Sequence, residues 1–342
     1  MQLCCRSGPA FSLRCSLILA ISIVVILNAR PAYTQVTSAA PDRQSLADAW
    51  WTGPLLAPSA ATLPRGHMLI EPYLYDTTVQ GSYDGHGTRR SAPHANEYAS
   101  LTYVLYGVAD RFTVGAIPTG GYNQLSEGMN STRALFGDLT LQAQYRLTQF
   151  HEGHWMPTAS FALQETMPTG KYDQLGNRPG NGIGNGVWTT TPALYSQSYF
   201  WLPNGRILRA RLNVTQSFSN SARIWNVSVY GTQPGFEGRA QPGSAFFVDA
   251  AGEYSLTRNW VLALDATYHT QGKTTVSGTN HSNPIKALVN FNVPSNSAVA
   301  FAPAIEYNWK ANIGVILGVR IVAAGRNTNY TLTPAIAINF VH

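Results

Sequence analysis

The sequence predicts an all-β protein, a transmembrane antiparallel β-barrel of about 12 strands with short periplasmic turns and long extracellular loops. Three observations lead to this prediction. Charged residues make up only 12% of the chain, about half of the ~25% that soluble domains carry. Aromatic residues are abundant, with 17 Tyr, 13 Phe and 8 Trp. Many segments alternate between apolar and polar side chains, which is the pattern of a strand between lipid and lumen.

Residues 1–32 have the features of a secretory signal peptide. Arg6 and Arg14 precede an apolar run at 17–27, and small residues follow that run, as a cleavage site requires. The run is shorter than the ~20 residues that a membrane-spanning helix needs. We therefore expect export and, with the barrel pattern, a location in the outer membrane of a Gram-negative bacterium.

Cysteine usage and charge exclude several functional classes. All three cysteines, Cys4, Cys5 and Cys15, lie in the predicted signal peptide, so the exported chain is expected to have no disulfide, thiolate metal site or cysteine nucleophile. Processing would also remove three of the 23 basic residues, leaving 20 against 17 acidic ones. The basic residues are dispersed, so no nucleic-acid partner is expected.

The clearest strand pattern is at 329–342. Ile336 and Ile338 share one face, and Thr333 and Asn339 share the other, because successive side chains of a strand point in opposite directions. The same period of two recurs along the chain. It predicts strands near 67–78, 97–108, 111–122, 136–148, 156–167, 187–201, 206–218, 243–256, 259–271, 296–309, 313–324 and 329–342.

The connections between these predicted strands alternate between short and long. The short ones are tight turns, which we assign to the periplasm, and the long ones are rich in Gly and Asn, which we assign to the cell exterior. Residues 222–233 look strand-like and are interpreted as an extracellular extension, because a spanning strand there would make the strand count odd. The long connections are at 79–96, 123–135, 168–186, 219–242 and 272–295.

Aromatic residues recur at the inferred periplasmic ends of the strands, on the face predicted to meet lipid. Amphipathic rings favour the headgroup level of a membrane, so we predict a periplasmic aromatic girdle. Its members would be Phe112, Tyr145, Phe200, Tyr254, Trp260, Tyr307, Trp309 and Phe340.

Charged residues within the predicted strands share the opposite, inward face. An Arg facing lipid near the midplane costs about 2–4 kcal/mol, so these side chains are predicted to line the lumen. They would select solutes in an open pore, or form ion pairs in a packed lumen, and the sequence leaves both open. The predicted pore-lining residues are Glu71, Asp138, Arg146, Arg209, Arg211, Asp249, Glu253, Asp265, His269, Glu306 and Arg320.

Residues 33–66 precede the predicted barrel at 67–342 and lack a strand pattern. They carry Trp50, Trp51 and four prolines, and proline removes a donor from any strand ladder. We expect this segment to lie in the periplasm or to enter the lumen as a small plug.

An enzymatic alternative rests on residues 280–283, Asn-His-Ser-Asn. They echo the His, Ser and Asn of the outer-membrane phospholipase, which is also a twelve-stranded barrel. His281 and Ser282 are adjacent, however, so in an extended chain they point to opposite faces. Recognised hydrolase, phosphate-loop and metal motifs are absent from the sequence, and neither a cofactor nor a metal is expected.

Several stretches resemble a family of outer-membrane transporters named for the meta-cleavage pathway of phenol degradation. They are 47–54 (ADAWWTGP), 63–67 (LPRGH), 70–73 (IEPY), 137–139 (GDL) and 339–340 (NF). The resemblance implies an outer-membrane barrel that passes small organic solutes, aromatic ones among them, and it supplies no catalytic residues.

The sequence thus leaves three functions to compare. The first is a porin-like channel or facilitator for passive uptake of small organic solutes, with outer-membrane lipids and the barrel-insertion machinery as further partners. The second is a closed barrel whose loops contact other molecules at the cell surface. The third is a lipolytic enzyme, and planar-bilayer conductance separates the first from the second.

Overall fold

A computed structural model describes residues 42–126, 128–282 and 287–342. The predicted signal peptide lies outside these residues, as do 33–41 of the following segment. Twelve long strands form the barrel, each with the alternating apolar pattern noted above. They are β1 (Met68–Tyr83), β2 (Ala95–Ala109), β3 (Phe112–Ile117 and Thr119–Leu125), β4 (Leu139–Thr148), β5 (Thr158–Met167), β6 (Thr189–Trp201), β7 (Ile207–Ser219), β8 (Ala245–Ser255), β9 (Trp260–Gln271), β10 (Asn296–Lys310), β11 (Ile313–Arg326) and β12 (Thr328–Val341).

The sheet closes on itself. Every strand pairs antiparallel with its neighbours in sequence, and β1 pairs with both β2 and β12. The closing register joins Leu69 to Val341 and Tyr75 to Ala335. Closure leaves no strand edge, so each backbone polar group can be satisfied within the bilayer. The predicted fold class, a transmembrane antiparallel barrel of twelve strands, is confirmed.

The alternation of side chains sets the two faces of the wall. Leu141 is 46% exposed on the outside, whereas the adjacent Gln142 is 5% exposed on the inside. The exterior carries a band of exposed apolar side chains that includes Phe161, Leu194, Leu212, Leu264, Phe301, Leu317 and Ile336. This band fits the apolar belt that a barrel presents to lipid.

Members of the predicted aromatic girdle pair with one another across neighbouring strands. Phe112 pairs with Tyr145 on the next strand, and Trp260 pairs with Tyr307. The rings of Trp260 and Tyr307 lie 4.6 Å apart, and those of Tyr307 and Trp309 lie 5.3 Å apart. Their position at the level of the lipid headgroups stays a prediction.

Five prolines lie within barrel strands, where proline lacks the N–H that a ladder needs. Each coincides with a gap in the pairing on one side of its strand. Between β1 and β12 the register passes from Ile70 to Tyr73 without a pair at Pro72, and Pro118 divides β3 into two parts. The same cause explains the gaps beside Pro192, Pro303 and Pro334.

The extracellular loops contain a second, smaller sheet. Four short strands pair antiparallel, Ala222–Trp225, Phe236–Gln241, Thr274–Asn280 and Ala287–Val293. Their buried face is apolar and includes Ile224, Phe236 and Val276. The strand-like segment at 222–233 is therefore part strand and part turn, outside the barrel sheet, while 272–295 contains two strands where the sequence had indicated only a loop.

The remaining regular elements are two 3-10 turns, Leu46–Asp48 and Pro179–Asn181, and two short strands, Arg89–Arg90 and Leu135–Phe136. Among the described residues no helix is long and apolar enough to cross a membrane.

Candidate functional site

The inward face of the barrel collects a group of buried charged side chains, most of them in the periplasmic half of their strands. Two arginines and five carboxylic acids lie there on strands and are at most 9% exposed. They are Glu71 on β1, Arg209 and Arg211 on β7, Asp249 and Glu253 on β8, Asp265 on β9, and Glu306 on β10. Arg146, His269 and Arg320 also lie in strands and are half-buried.

Arg209 and Arg211 share one carboxylate. Arg209 Nε donates to Glu253 Oε2 at 2.6 Å, and its Nη2 donates to the other oxygen. Arg211 Nε lies 3.3 Å from Glu253 Oε2. Buried charges need such pairing, because an isolated ion in the interior of a protein is costly. The Arg209 guanidinium also stacks 4.6 Å from the centre of the Trp51 ring, a cation–π contact.

The residues 42–66, which we call the N-terminal segment, contact this inner wall. Glu306 Oε2 accepts hydrogen bonds from the backbone N–H groups of Thr52 and Gly53, at 2.7 and 3.1 Å. Asp265 accepts from Leu55, Leu56 and Ala57, at 3.0, 3.3 and 3.1 Å. Hydrogen bonds to an ionised acceptor are stronger than neutral ones, so two carboxylates fasten five successive or nearly successive peptide groups.

Further along, the wall donates to carbonyl groups of the segment. Arg211 Nη1 donates to Ala57 O at 2.6 Å, and Asn213 Nδ2 donates to Pro58 O at 2.9 Å. Gln144 Nε2 donates to Ser59 O at 3.0 Å. The segment thus follows the inner wall from β10 through β9 and β7 to β4.

The segment leaves the wall near the turn between β2 and β3. Thr113 Oγ1 accepts from Leu63 N at 2.9 Å, and Asp110 O accepts from Thr62 Oγ1 at 2.8 Å. The chain passes so close to β2 that a Cβ at Gly107 would overlap the carbonyl oxygens of Leu63 and Pro64. Glycine at that position is required by this close approach.

On its other side the segment contacts β11, β12 and β1 through the apolar side chain of Leu55. The Leu55 side chain packs in a buried apolar cluster with Ile316, Ala335 and Ala337. Leu56 and Tyr73 lie at the margin of the same cluster. The segment is therefore bound to one arc of the wall by polar contacts and to the other arc by apolar packing.

Two cavities lie inside the barrel on either side of this apolar cluster. One, of about 410 Å³, is lined by Thr77, His269, Arg320, Thr331 and other residues near the extracellular ends of their strands. The other, of about 240 Å³, lies nearer the periplasm, between the N-terminal segment and β12, β1 and β2, and it is also lined by side chains of β4 and β7, Gln142, Gln144, Arg209 and Arg211. We call the first the vestibule and the second the crevice.

Glu71 lines the crevice and differs from the other buried acids. Its polar contact is with Asn339, whose Nδ2 lies 3.4 Å from Glu71 Oε1. Among the described residues no basic group lies within 4 Å of this carboxylate. Asp249, deeper in the wall, has both carboxylate oxygens without a hydrogen-bond partner in the described chain.

Interior tyrosines are the residues that sequence reasoning missed. Tyr73 and Tyr103 line the crevice, with ring centres 6.1 Å apart, and Tyr195 is 2% exposed inside the wall. The aromatic residues predicted from the sequence were those of the lipid face. The signal that could have found them is position, because Tyr73 is two residues from Glu71 and therefore shares its inward direction.

Asp138 was predicted to line the lumen with the other acids, but it lies just before β4 among the extracellular loops. Its carboxylate accepts from Gly170 N at 2.9 Å and from Asn185 N at 2.8 Å. Burial raises the pKa of Asp138, and the backbone N–H groups oppose that effect. Its role in the structure is to tie the 168–186 loop to the start of a strand.

At the periplasmic end, the first described residues of the segment cover part of the barrel mouth. Gln44 Nε2 donates to Ser255 Oγ at 2.8 Å, and Trp201 Nε1 donates to Gln44 O at 2.8 Å. Arg43 stacks 4.1 Å from the Trp201 ring. These contacts fix where the segment enters the barrel.

The residues of the enzymatic alternative lie on an exposed turn of the outer sheet. His281 Nε2 is 2.8 Å from Thr279 Oγ1, whereas Ser282 Oγ donates to Pro234 O at 2.6 Å. His281 and Ser282 thus make hydrogen bonds with different residues and not with each other. Asn283 lies outside the described residues. A catalytic pair needs a direct hydrogen bond between nucleophile and base, which this geometry lacks.

On the outer surface, an apolar groove of about 780 Å³ follows β1, β12 and the break in β3 at Pro118. Its lining includes Leu74, Ile336 and Phe136, which is 86% exposed. None of its lining residues belongs to the crevice. Within the described ranges there is no cluster of three or more His, Cys, Asp or Glu able to hold a metal ion.

Several solved structures are similar to this chain. A COG4313 outer membrane channel from Pseudomonas putida F1 superposes with a TM-score of 0.63 at 14% identity, over 83% of this chain and 98% of that one. The NanC porin gives 0.40 at 11% identity, over 79% and 98%. The toluene transporter TodX of P. putida gives 0.36 at 12% identity, over 85% and 95%.

None of the curated proteins compared matches the sequence. A family profile does match, over residues 77–340, which is most of the chain and nearly all of the barrel. The resemblance seen in the sequence is therefore confirmed, as is the bacterial outer membrane as the location of this barrel. The chain belongs to the family described as "Putative MetA-pathway of phenol degradation".

Proposed function

We propose that this protein is a channel for passive passage of small organic solutes across the outer membrane, narrowed by its N-terminal segment. The observation that carries the proposal is the partial filling of the barrel. The segment lies against the inner wall yet leaves the vestibule and the crevice beside it, of about 410 and 240 Å³. A barrel built only for stability would be expected to fill its interior with packed side chains.

The lining supports passage of solutes that are partly apolar. Leu69, Leu105 and the ring of Tyr73 line the crevice together with the polar Gln142 and Gln144. Sites for small organic molecules typically combine apolar walls with a few polar groups. The family description connects the chain to phenol degradation, which favours aromatic solutes within this class.

Within this proposal, residues 33–66 act as the plug and 67–342 as the channel wall. The hydrogen bonds that Glu306 and Asp265 accept from the segment backbone are the contacts that such a plug needs. The insertion machinery for barrels stays an expected partner, based on the barrel itself.

Single-channel conductance in planar bilayers tests the proposal. The refolded full chain should give small, steady currents, and a variant lacking residues 42–63 should give currents several-fold larger, because the segment no longer narrows the lumen. Heat-modifiable migration on gels would show that the shortened variant still forms a barrel. Absence of current from the folded full chain would contradict the channel and favour the closed surface-interaction barrel.

Solute preference is tested separately, by swelling of proteoliposomes. Phenylalanine crosses a bare bilayer slowly and carries an aromatic ring, and a sugar of similar size provides the matched comparison. Faster swelling with phenylalanine would support aromatic solutes. Equal rates would support a channel without such a preference.

A further inference from the structure

The N-terminal segment is held unequally by the two sides of the barrel. Toward β4, β7, β9 and β10 it makes the hydrogen bonds described above, and we call this the bonded arc. Toward β11, β12, β1 and β2, which we call the apolar arc, the contact at mid-height is the packing of Leu55 on Ile316, Ala335 and Ala337. Apolar packing is non-directional and yields to small displacements more easily than a set of charge-assisted hydrogen bonds does.

The two interior cavities both border this arc at β1 and β12, and each also reaches the bonded arc, the vestibule at His269 and the crevice at Gln144. The vestibule is lined by Thr77 of β1, Arg320 of β11 and Thr331 of β12, and the crevice is lined by Glu71 of β1, Tyr103 of β2 and Asn339 of β12. The apolar cluster around Leu55 lies between them along β1 and β12, since Tyr75 and Ala335 occupy intermediate positions in register. A solute that moves from one cavity to the other along β1 and β12 therefore has to displace this apolar contact.

Resting on the proposed channel function, we propose that solutes cross on the apolar arc alone, and that Glu71 is the specificity-determining residue there, favouring cationic over anionic solutes.

Among the described residues Glu71 has no basic group within 4 Å, in contrast to Glu253, which is engaged by both Arg209 and Arg211. Both arginines also line the crevice, and Arg211 acts on the charge of Glu71 from a longer distance. The guanidinium group of Arg209 is bound to Glu253, and that of Arg211 donates to Ala57 O. Glu71 is nine-tenths buried, lines the crevice, and has one long contact with Asn339. A carboxylate in this position attracts cations and repels anions.

The rings of Tyr73 and Tyr103 extend this selectivity to organic ions. They lie beside Glu71 in the crevice with their centres 6.1 Å apart and nearly perpendicular, at 73°. Aromatic faces attract ammonium groups through their quadrupole. The solute class that the site favours is therefore an organic cation, such as an aromatic amine, over a carboxylate of the same size.

Cysteine accessibility tests the route. The chain has no cysteine after residue 15, so a single thiol can be introduced into the folded protein. Asn339→Cys places it on the apolar arc, and Ser160→Cys places it on β5 beside the bonded arc, where Ser160 accepts from Gln144 and is 1% exposed. We expect a cationic methanethiosulfonate reagent to reduce the current of Asn339→Cys and to leave that of Ser160→Cys unchanged.

Glu71→Gln tests the selectivity with the same apparatus. At pH 8 in a KCl gradient, the reversal potential should show a preference for K⁺ over Cl⁻, and Glu71→Gln should lower that preference about fivefold, as expected for one charge in a partly hydrated passage. In the Asn339→Cys background, the cationic reagent should react faster than its anionic sulfonate counterpart, and Glu71→Gln should reduce the difference. Asp265→Asn, on the bonded arc, serves as the matched loss of a carboxylate and should change selectivity less.

The outcomes separate the two levels of the proposal. If the unmodified protein gives no current, the channel function is overturned and this inference with it. If current flows but both cysteines block equally, or Glu71→Gln leaves the ion preference unchanged, the inference alone is overturned.

Discussion

The bonded arc and the apolar arc of the inner wall are built from the same alternating strands, yet they hold the N-terminal segment by different physics. On the bonded arc Asp265 and Glu306 accept backbone N–H groups, and Arg211 and Asn213 donate to carbonyl groups. On the apolar arc Leu55 packs on small side chains. The difference teaches that a plug can be fixed firmly without sealing the lumen all round.

The largest expected effect on the free energy of unfolding comes from a change on the bonded arc, at the carboxylate that both arginines share. Glu253→Ala would leave Arg209 and Arg211 buried without their acidic partner, which should lower the free energy of unfolding by about 3–5 kcal/mol. Urea unfolding of the refolded barrel in micelles, followed by tryptophan fluorescence, measures the loss. Glu71→Gln on the apolar arc is the control, and an equal loss there would remove the distinction between the arcs.

A smaller effect is expected where the wall meets the segment backbone. Asp265→Ala leaves the N–H groups of Leu55, Leu56 and Ala57 without acceptors, which should weaken docking of the segment by about 2 kcal/mol. Limited proteolysis should then cleave within 50–63 on the order of 30 times faster. Thr267→Ala is the matched control, because Thr267 is inward on the same strand and donates to Ala300 O. Equal rates of proteolysis in the two variants would show that the carboxylate does not hold the segment.

The smallest effect on stability is expected at the apolar contact. Leu55→Ala removes buried apolar surface, but the segment can shift to fill the space, so the loss should be about 1–2 kcal/mol. The single-channel current should nevertheless rise, because the contact between vestibule and crevice loosens. Ser59→Ala removes a hydroxyl that accepts from Ala61 N at 3.1 Å within the segment and lies 3.5 Å from Gln197, and it should leave the current unchanged. A rise in Ser59→Ala of the same size would mean that leakage is not confined to the apolar arc.

Much of the fold could be predicted from period-two alternation. Leu141 and Gln142 show why, because the lipid and the interior impose opposite requirements on neighbouring residues. Register gaps at the prolines were also implicit in the sequence, since Pro72 has no N–H to give. The outer sheet was not predictable in the same way. Its strand Thr274–Asn280 is rich in Thr, Asn and Gly, and one of its two partners, Phe236–Gln241, is separated from it by a whole hairpin of the barrel.

The candidate site could be predicted only in part. The inward direction of Arg209, Glu253 and Asp265 followed from parity, but their partners did not. Asp138 has the same character in sequence and lies instead among the loops. Hydrogen bonds between residues separated by some 208–254 positions, such as those of Asp265 and Glu306 with the segment, depend on where the closed barrel brings the chain together.

The sequence by itself determined that this chain exposes one side of each strand to lipid and the other to its own interior, because alternation is a local property that each strand carries within itself. Only the tertiary structure decided which inward groups neutralise one another, where the N-terminal segment lies, and that Glu71 faces a cavity rather than a backbone donor. These depend on closure of the sheet, which sets distances between residues that no local pattern relates.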